Sequence, residues 1–218
     1  MNLLLVDVDG ALVNARDVDM MCFQQAVEAV LHITLDKSRY QERVVTDSAM
    51  LDDILHQYPG LSSRSIIHRQ VEQKYLENLT ARLHSVPPES VLSKGAREFL
   101  EQMAIRDDTH VAITSSGWAA VSRLKLRAAG IDASKITFAS SSDAASRTEI
   151  MALAAFRAKQ DTGMTFKRRI VFAEGEWNQR ASQELGYEFV AVGKKLSHHT
   201  YIPSLSFYQA ALSKFDIN

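Results

Sequence analysis

Short, uninterrupted runs of apolar and β-branched residues recur at positions 3–8, 110–114, 135–139, 168–173 and 188–192. Runs of this kind fit strands buried on both faces. Helical periodicity fills the intervals between the later runs, and such alternation predicts a parallel sheet joined by crossover helices. One helix is predicted from about Trp118 to Gly130, where the glycine suits a C-terminal stop. Another begins at Ser146, because Ser146-Arg147-Thr148-Glu149 has the spacing of a capping box. A helix over 95–103 leads into the second strand.

The first interval breaks this rhythm. Roughly a hundred residues separate Asp9 from the second strand, and they carry helical faces without a convincing strand. Phe23, Val27, Val30 and Leu31 share one face; Met50, Leu51, Ile54 and Leu55 mark a second helix; Ile66, Ile67, Val71, Tyr75 and Leu79 follow a third. The paired prolines of Val86-Pro87-Pro88-Glu89 make a boundary at its far end. The expected architecture is therefore α/β: a Rossmann-like parallel sheet in a three-layer α/β/α core, residues 1–14 and 89–218, carrying an inserted α-helical cap over 15–88.

Composition narrows the partners. With 25 Lys plus Arg against 26 Asp plus Glu and a net charge of −1, no general attraction to nucleic acid or to an anionic membrane is expected. No apolar stretch reaches transmembrane length, and the opening run is too short for a signal-peptide core, so a cytoplasmic protein is expected. Cys22 is the only cysteine, which excludes an internal disulfide; its neighbours Met20, Met21 and Phe23 favour a packed thiol.

Candidate chemistry concentrates at the end of the first strand. Leu3-Leu4-Leu5-Val6 runs into Asp7-Val8-Asp9-Gly10. Ligands of open α/β sheets bind outside the carboxyl ends of strands, and residues two apart in a strand point the same way, so Asp7 and Asp9 can meet one reactive centre. Gly10 permits the tight turn that follows. Thr114-Ser115-Ser116-Gly117, Arg147 and Glu174 stand at or beyond the ends of three later strands.

In that order and spacing these elements resemble the haloacid dehalogenase superfamily of phosphatases, over nearly the whole chain. Leu-Leu-Leu-Val-Asp-Val-Asp-Gly-Ala-Leu-Val is similar to the family's first motif, and the helical insertion resembles its type-one cap, as in phosphoglycolate phosphatase-like and β-phosphoglucomutase-like members. Thr46-Asp47 resembles a pair common in such caps. The resemblance implies that Asp7 is the nucleophile and forms an aspartyl-phosphate, and that Asp9 is the general acid and base. It implies phosphoryl contacts from Gly10, Ser115, Ser116 and Gly117, and a catalytic cation at Arg147. It also implies Mg²⁺ held by Asp7, the Asp9 main-chain carbonyl and Glu174, with a small phosphorylated metabolite as substrate. The second acid argues for phosphoryl chemistry over carbon–halogen cleavage.

The chain departs from the pattern in several places. Ala11 replaces a threonine, Arg147 a lysine, Glu174 an aspartate, and Asn178 a second acid that some members also lack; Glu176 is the competing metal ligand if the register differs. Two further readings stay open: a binding or regulatory protein on the same scaffold with weakened catalysis, and a sugar phosphomutase. Specificity is expected in the insertion, around Thr46-Asp47 or over 58–63. The His198-His199 pair reads as solvated, and Trp118 and Trp177 as packing residues.

Overall fold

The computed structural model describes residues 1–36, 46–58, 60–61, 63–193, 196 and 198–217. At its centre is β1 (Asn2–Asp7), whose residues Leu3, Leu4, Leu5 and Val6 have no exposed surface. Around it lie β2 (Thr109–Thr114), β3 (Thr137–Ala139), β4 (Arg168–Ala173), β5 (Glu188–Val192) and β6 (Tyr201–Ile202). The sheet runs β3-β2-β1-β4-β5-β6, and every pairing is parallel. Connections proceed outward from β1 on one side and from β4 on the other, so the topological switch point falls between β1 and β4. This is the place where an open α/β sheet opens a crevice for a ligand.

The pleat of β1 divides the core. Leu4 and Val6 join the cluster containing α1 (Arg16–Leu31), α2 (Asp47–Leu55), α3 (Arg64–Leu83), α5 (Ala96–Ala104) and α6 (Ala119–Ala128). Leu3 and Leu5 join the opposite cluster under α7 (Arg147–Thr162) and α8 (Glu176–Glu184). Helices thus cover both faces, as the unbroken apolar strands require. The chain leaves the sheet and returns at adjacent points: Ser93 N donates to Leu12 O at 3.0 Å and Asn14 N to Val91 O at 2.8 Å, beside the short α4 (Pro88–Val91). Between those points α1 to α3 pack on one another, with Cys22, Phe23, Tyr75 and Leu79 buried. Among the described residues no helix is long and apolar enough to cross a membrane.

Local differences from the sequence reading have physical causes. The buried stripe of α3 is Ile67, Val71, Tyr75, Leu79 and Leu83, at steps of four; Ile66 falls beside this stripe and is 45% exposed. β3 starts at Thr137 instead of residue 135. β6 and α9 (Tyr208–Ser213) complete the open edge, and a two-residue strand carries too little alternation to be read. Trp177 stands exposed with the Arg180 guanidinium over its ring at 5.0 Å, whereas Trp118 is buried as expected.

Leu5→Ala empties space at the centre of the sheet, where neighbouring strands cannot close in. A loss of about 2–5 kcal/mol is expected, read as a lowered urea midpoint at unchanged slope.

Candidate functional site at the sheet switch point

Asp7 ends β1 and is 4% exposed. Its Oδ1 accepts from Val8 N at 3.1 Å, and its Oδ2 accepts from Asn178 Nδ2 at 2.9 Å. The same Nδ2 donates to Glu174 O at 2.9 Å, and Asn178 Oδ1 accepts from Arg147 Nη1 at 2.8 Å. Arg147 Nη1 lies 3.8 Å from Asp7 Oδ2. Asn178, in the first turn of α8, therefore fixes the nucleophile candidate, the cation and the loop after β4 together. An aspartate here would set a second carboxylate against Asp7 and against a carbonyl. Burial pushes the Asp7 carboxyl up to about 6, with Arg147 and Asn178 opposing and Asp9 adding to the rise.

Arg147 occupies the first position of α7, behind the Ser146–Glu149 capping box. Its Nε is buried without a hydrogen-bond partner among the described residues, and so is Thr114 Oγ1, whose residue pairs with Asp7 across the sheet. Unsatisfied buried polar atoms are costly, and an N–H donor left beside a strand end is suited to an anion.

Glu174 crosses the switch point. A Cβ on Gly10 would lie 2.6 Å from Glu174 Oε2, and one on Gly193 would lie 3.6 Å from Oε1. Gly10 also has φ +91°, so both backbone conformation and the close carboxylate require glycine there. Arg16 Nη2 stands 3.4 Å from Glu174 Oε2. Glu176, the rival ligand, belongs to the exposed side of α8 and reaches Arg180 at 3.5 Å. Among the described residues no group of three or more His, Cys, Asp or Glu side chains is placed to hold a metal. The donor set expected from sequence needs only two carboxylates and a main-chain carbonyl, all oxygen.

Asp9 meets a partner that sequence reasoning missed. Lys125 Nζ, from α6, donates to Asp9 Oδ1 and Oδ2 at 2.8 Å each and to Asp19 Oδ2, on α1, at 3.0 Å. Lys125 has no exposed surface. Burial alone would lower its basicity, but Asp19 and Asp9 more than offset this, and the ammonium is held well above its ordinary range. Tyr75 donates its hydroxyl to Asp19, extending the chain of contacts to α3. One signal could have found Lys125: Val121, Ser122, Lys125 and Leu126 share the buried face of α6, so the lysine stands inside an apolar stripe.

The Ser115–Trp118 segment follows β2, whose last residue, Thr114, pairs with Asp7. Ser115 Oγ shares a hydrogen bond with Ser122 Oγ at 2.7 Å and accepts from Gly117 N at 3.1 Å. The N-terminus of α2 docks directly on this segment. Asp47 N donates to Ser116 O at 2.9 Å, Trp118 N donates to Asp47 Oδ2 at 3.1 Å, and Trp118 Nε1 donates to Ser48 Oγ at 2.8 Å. Ser48 Oγ and Thr46 Oγ1 donate to Ser141 O and Ala145 O at 2.8 and 2.6 Å. Thr46 also caps α2, accepting from Ala49 N at 3.3 Å. Residues 59 and 62 of the other expected specificity segment lie outside the described residues; Tyr58 and Leu61 are exposed. His198 is not simply solvated: its Nδ1 accepts from Thr200 N at 3.2 Å and its ring packs edge-on against Phe189.

Burial and the nearby Asp19 push the Asp47 carboxyl up to about 8, opposed by Lys125 and the Trp118 N–H. Between the ordinary value of 3.8 and about 8, the folded chain keeps a proton that the unfolded chain has released. Stability therefore falls as pH rises through that window. Asp47→Asn is expected to flatten the decline, measured as the denaturation midpoint at about pH 5 and about pH 9. An unchanged slope would remove Asp47 as its source.

No family model matches the sequence, and neither does any curated protein. Solved structures do match. A hydrolase from Pseudomonas syringae superposes with a TM-score of 0.75 at 16% identity, covering 98% of this chain and 99% of that one. CbbY from Rhodobacter sphaeroides in complex with phosphate gives 0.73 at 17%, with 98% and 99% covered. A HAD-superfamily hydrolase of subfamily IA from Geobacter sulfurreducens gives 0.60 at 14%, with 96% and 98% covered. The chain thus shares the fold of these solved structures over nearly its whole length, one of them a HAD-superfamily hydrolase.

Proposed function

We propose that the protein is a haloacid dehalogenase-type phosphatase that hydrolyses a small phosphorylated metabolite with Mg²⁺, through an aspartyl-phosphate on Asp7. The observation that carries this reading is the buried Asp7 carboxylate at the switch point, fixed by Asn178 and flanked by an arginine with an unsatisfied N–H. The phosphate bound to CbbY, a protein of the same fold, supports a phosphoryl ligand.

In this mechanism an Asp7 oxygen attacks phosphorus as the leaving alkoxide departs and takes a proton from Asp9. Water then attacks the phosphoryl group, Asp9 accepts its proton, and the Asp7–phosphorus bond breaks with its electron pair returning to the carboxylate. Ser115 Oγ and the Ser116 and Gly117 amides bind phosphoryl oxygens, Gly10 keeps the backbone close, and Arg147 balances charge. Asp7, Glu174 and the Asp9 carbonyl would hold the metal. With Asp47 keeping its proton, the acids Asp7, Asp9, Asp19 and Glu174 outnumber Lys125, Arg147 and Arg16 by one, leaving negative charge for a hard cation. When bound, it neutralises charge on the transferring group. The helices α1 to α3 act as the cap that excludes water and selects the leaving group.

A second reading has specific support. Arg16 sits on Glu174, and Lys125 engages both oxygens of Asp9, contacts that also suit a regulatory protein with slow catalysis. Turnover separates the two. Purified protein with Mg²⁺ is expected to hydrolyse p-nitrophenyl phosphate, a chelator should stop it, and Asp7→Asn should lower the rate about a thousandfold or more at unchanged fold. Equal rates in parent and variant would return the chain to the regulatory reading.

A further inference from the structure

We propose that Lys125 is a positioning residue for Asp9, holding its carboxylate for the water-attack step and tying that placement to the docked helices α1 and α3. The inference rests on the phosphatase reading. An ammonium has three donors, and the contacts to Asp9 Oδ1, Asp9 Oδ2 and Asp19 Oδ2 use that capacity. A lysine with no exposed surface keeps its charge only where partners replace water, so these contacts persist in the folded chain. An aspartate at a loop position otherwise turns freely about its side-chain bonds. With both oxygens bound to one Nζ, it has a single placement.

The placement depends on two layers. Asp9 belongs to the loop after β1 and Lys125 to α6, while Asp19 and its donor Tyr75 come from α1 and α3. On the same face of α6, Ser122 hydrogen-bonds the phosphate-loop residue Ser115. One helix thus presents two inward polar side chains, one toward the phosphoryl contacts and one toward the proton acceptor. In the supported step, water oxygen bonds to phosphorus, its proton passes to Asp9, the bond to Asp7 breaks with the pair returning to that carboxylate, and orthophosphate leaves. A misplaced Asp9 slows this step, whereas an aryl leaving group departs from Asp7 attack without needing a proton.

Single-turnover kinetics with p-nitrophenyl phosphate and Mg²⁺ test the assignment. Phenol release reports phosphorylation of Asp7, and phosphate release reports its hydrolysis. In Lys125→Met, phenol release is expected within about threefold of the parent, while phosphate release falls about tenfold or more and phosphoenzyme accumulates in acid-quenched samples. Asp19→Asn should slow the same phase by less, and it decides the matter if Lys125→Met does not fold. Adding Lys125→Met to Asp9→Asn should cost nothing further. Equal slowing of both phases, or additive losses in the double variant, overturns the assignment. A parent no faster than Asp7→Asn in phenol release instead rejects the phosphatase reading, and this inference with it.

Discussion

Negative charge at the carboxyl edge of a sheet buried on both faces is the constraint around which this structure is arranged. Carboxylates withdrawn from water need donors of fixed geometry, and here the donors come from the helices that cover the sheet. Asp7 is served by Asn178 of α8 and Arg147 of α7, Asp9 by Lys125 of α6, and Glu174 by Arg16 of α1. The helices that cover the sheet are therefore also the elements that hold the site.

The parts legible in the sequence are those with a short-range signature. The buried strands show as unbroken apolar runs, and the capping box at Ser146 places the start of α7. Asp7, Gly10, Ser115, Arg147 and Glu174 were singled out because strand ends of an open α/β sheet gather residues, whatever lies between them in the chain. Asn178 was seen only as a missing acid. Its amide proves to be the junction of the site, and that role appears only when Asp7, Arg147 and the Glu174 carbonyl converge on it. Asp19 and Lys125 are separated by 106 positions, and no local pattern pairs residues so distant. Even so, a lysine within the apolar stripe of α6 was a visible irregularity.

The departures from the expected motif also make physical sense together. Glu174 is one methylene longer than aspartate, and its carboxylate extends over Gly10 and beside Gly193, where the absence of side chains leaves room. Arg16 then answers its charge from the first turn of α1. Ala11 is fully buried and joins the apolar cluster on the side of α1, so a hydroxyl at that position would need its own partner.

Docking of α2 bears on the same crevice. A Cβ on Gly117 would lie 3.4 Å from Asp47 Oδ2 and 3.5 Å from Ser115 Oγ, so the Asp47 carboxyl and the Ser115 hydroxyl flank one backbone position. A phosphoryl dianion at Ser115, as the proposed function has it, would raise the cost of ionising Asp47, because like charges at short range disfavour each other. Protonated, Asp47 carries no charge and still accepts from the Trp118 N–H. Under the proposed phosphatase reading, phosphoryl binding and docking of the helical layer would favour the same protonation state of one carboxyl, each supporting the other.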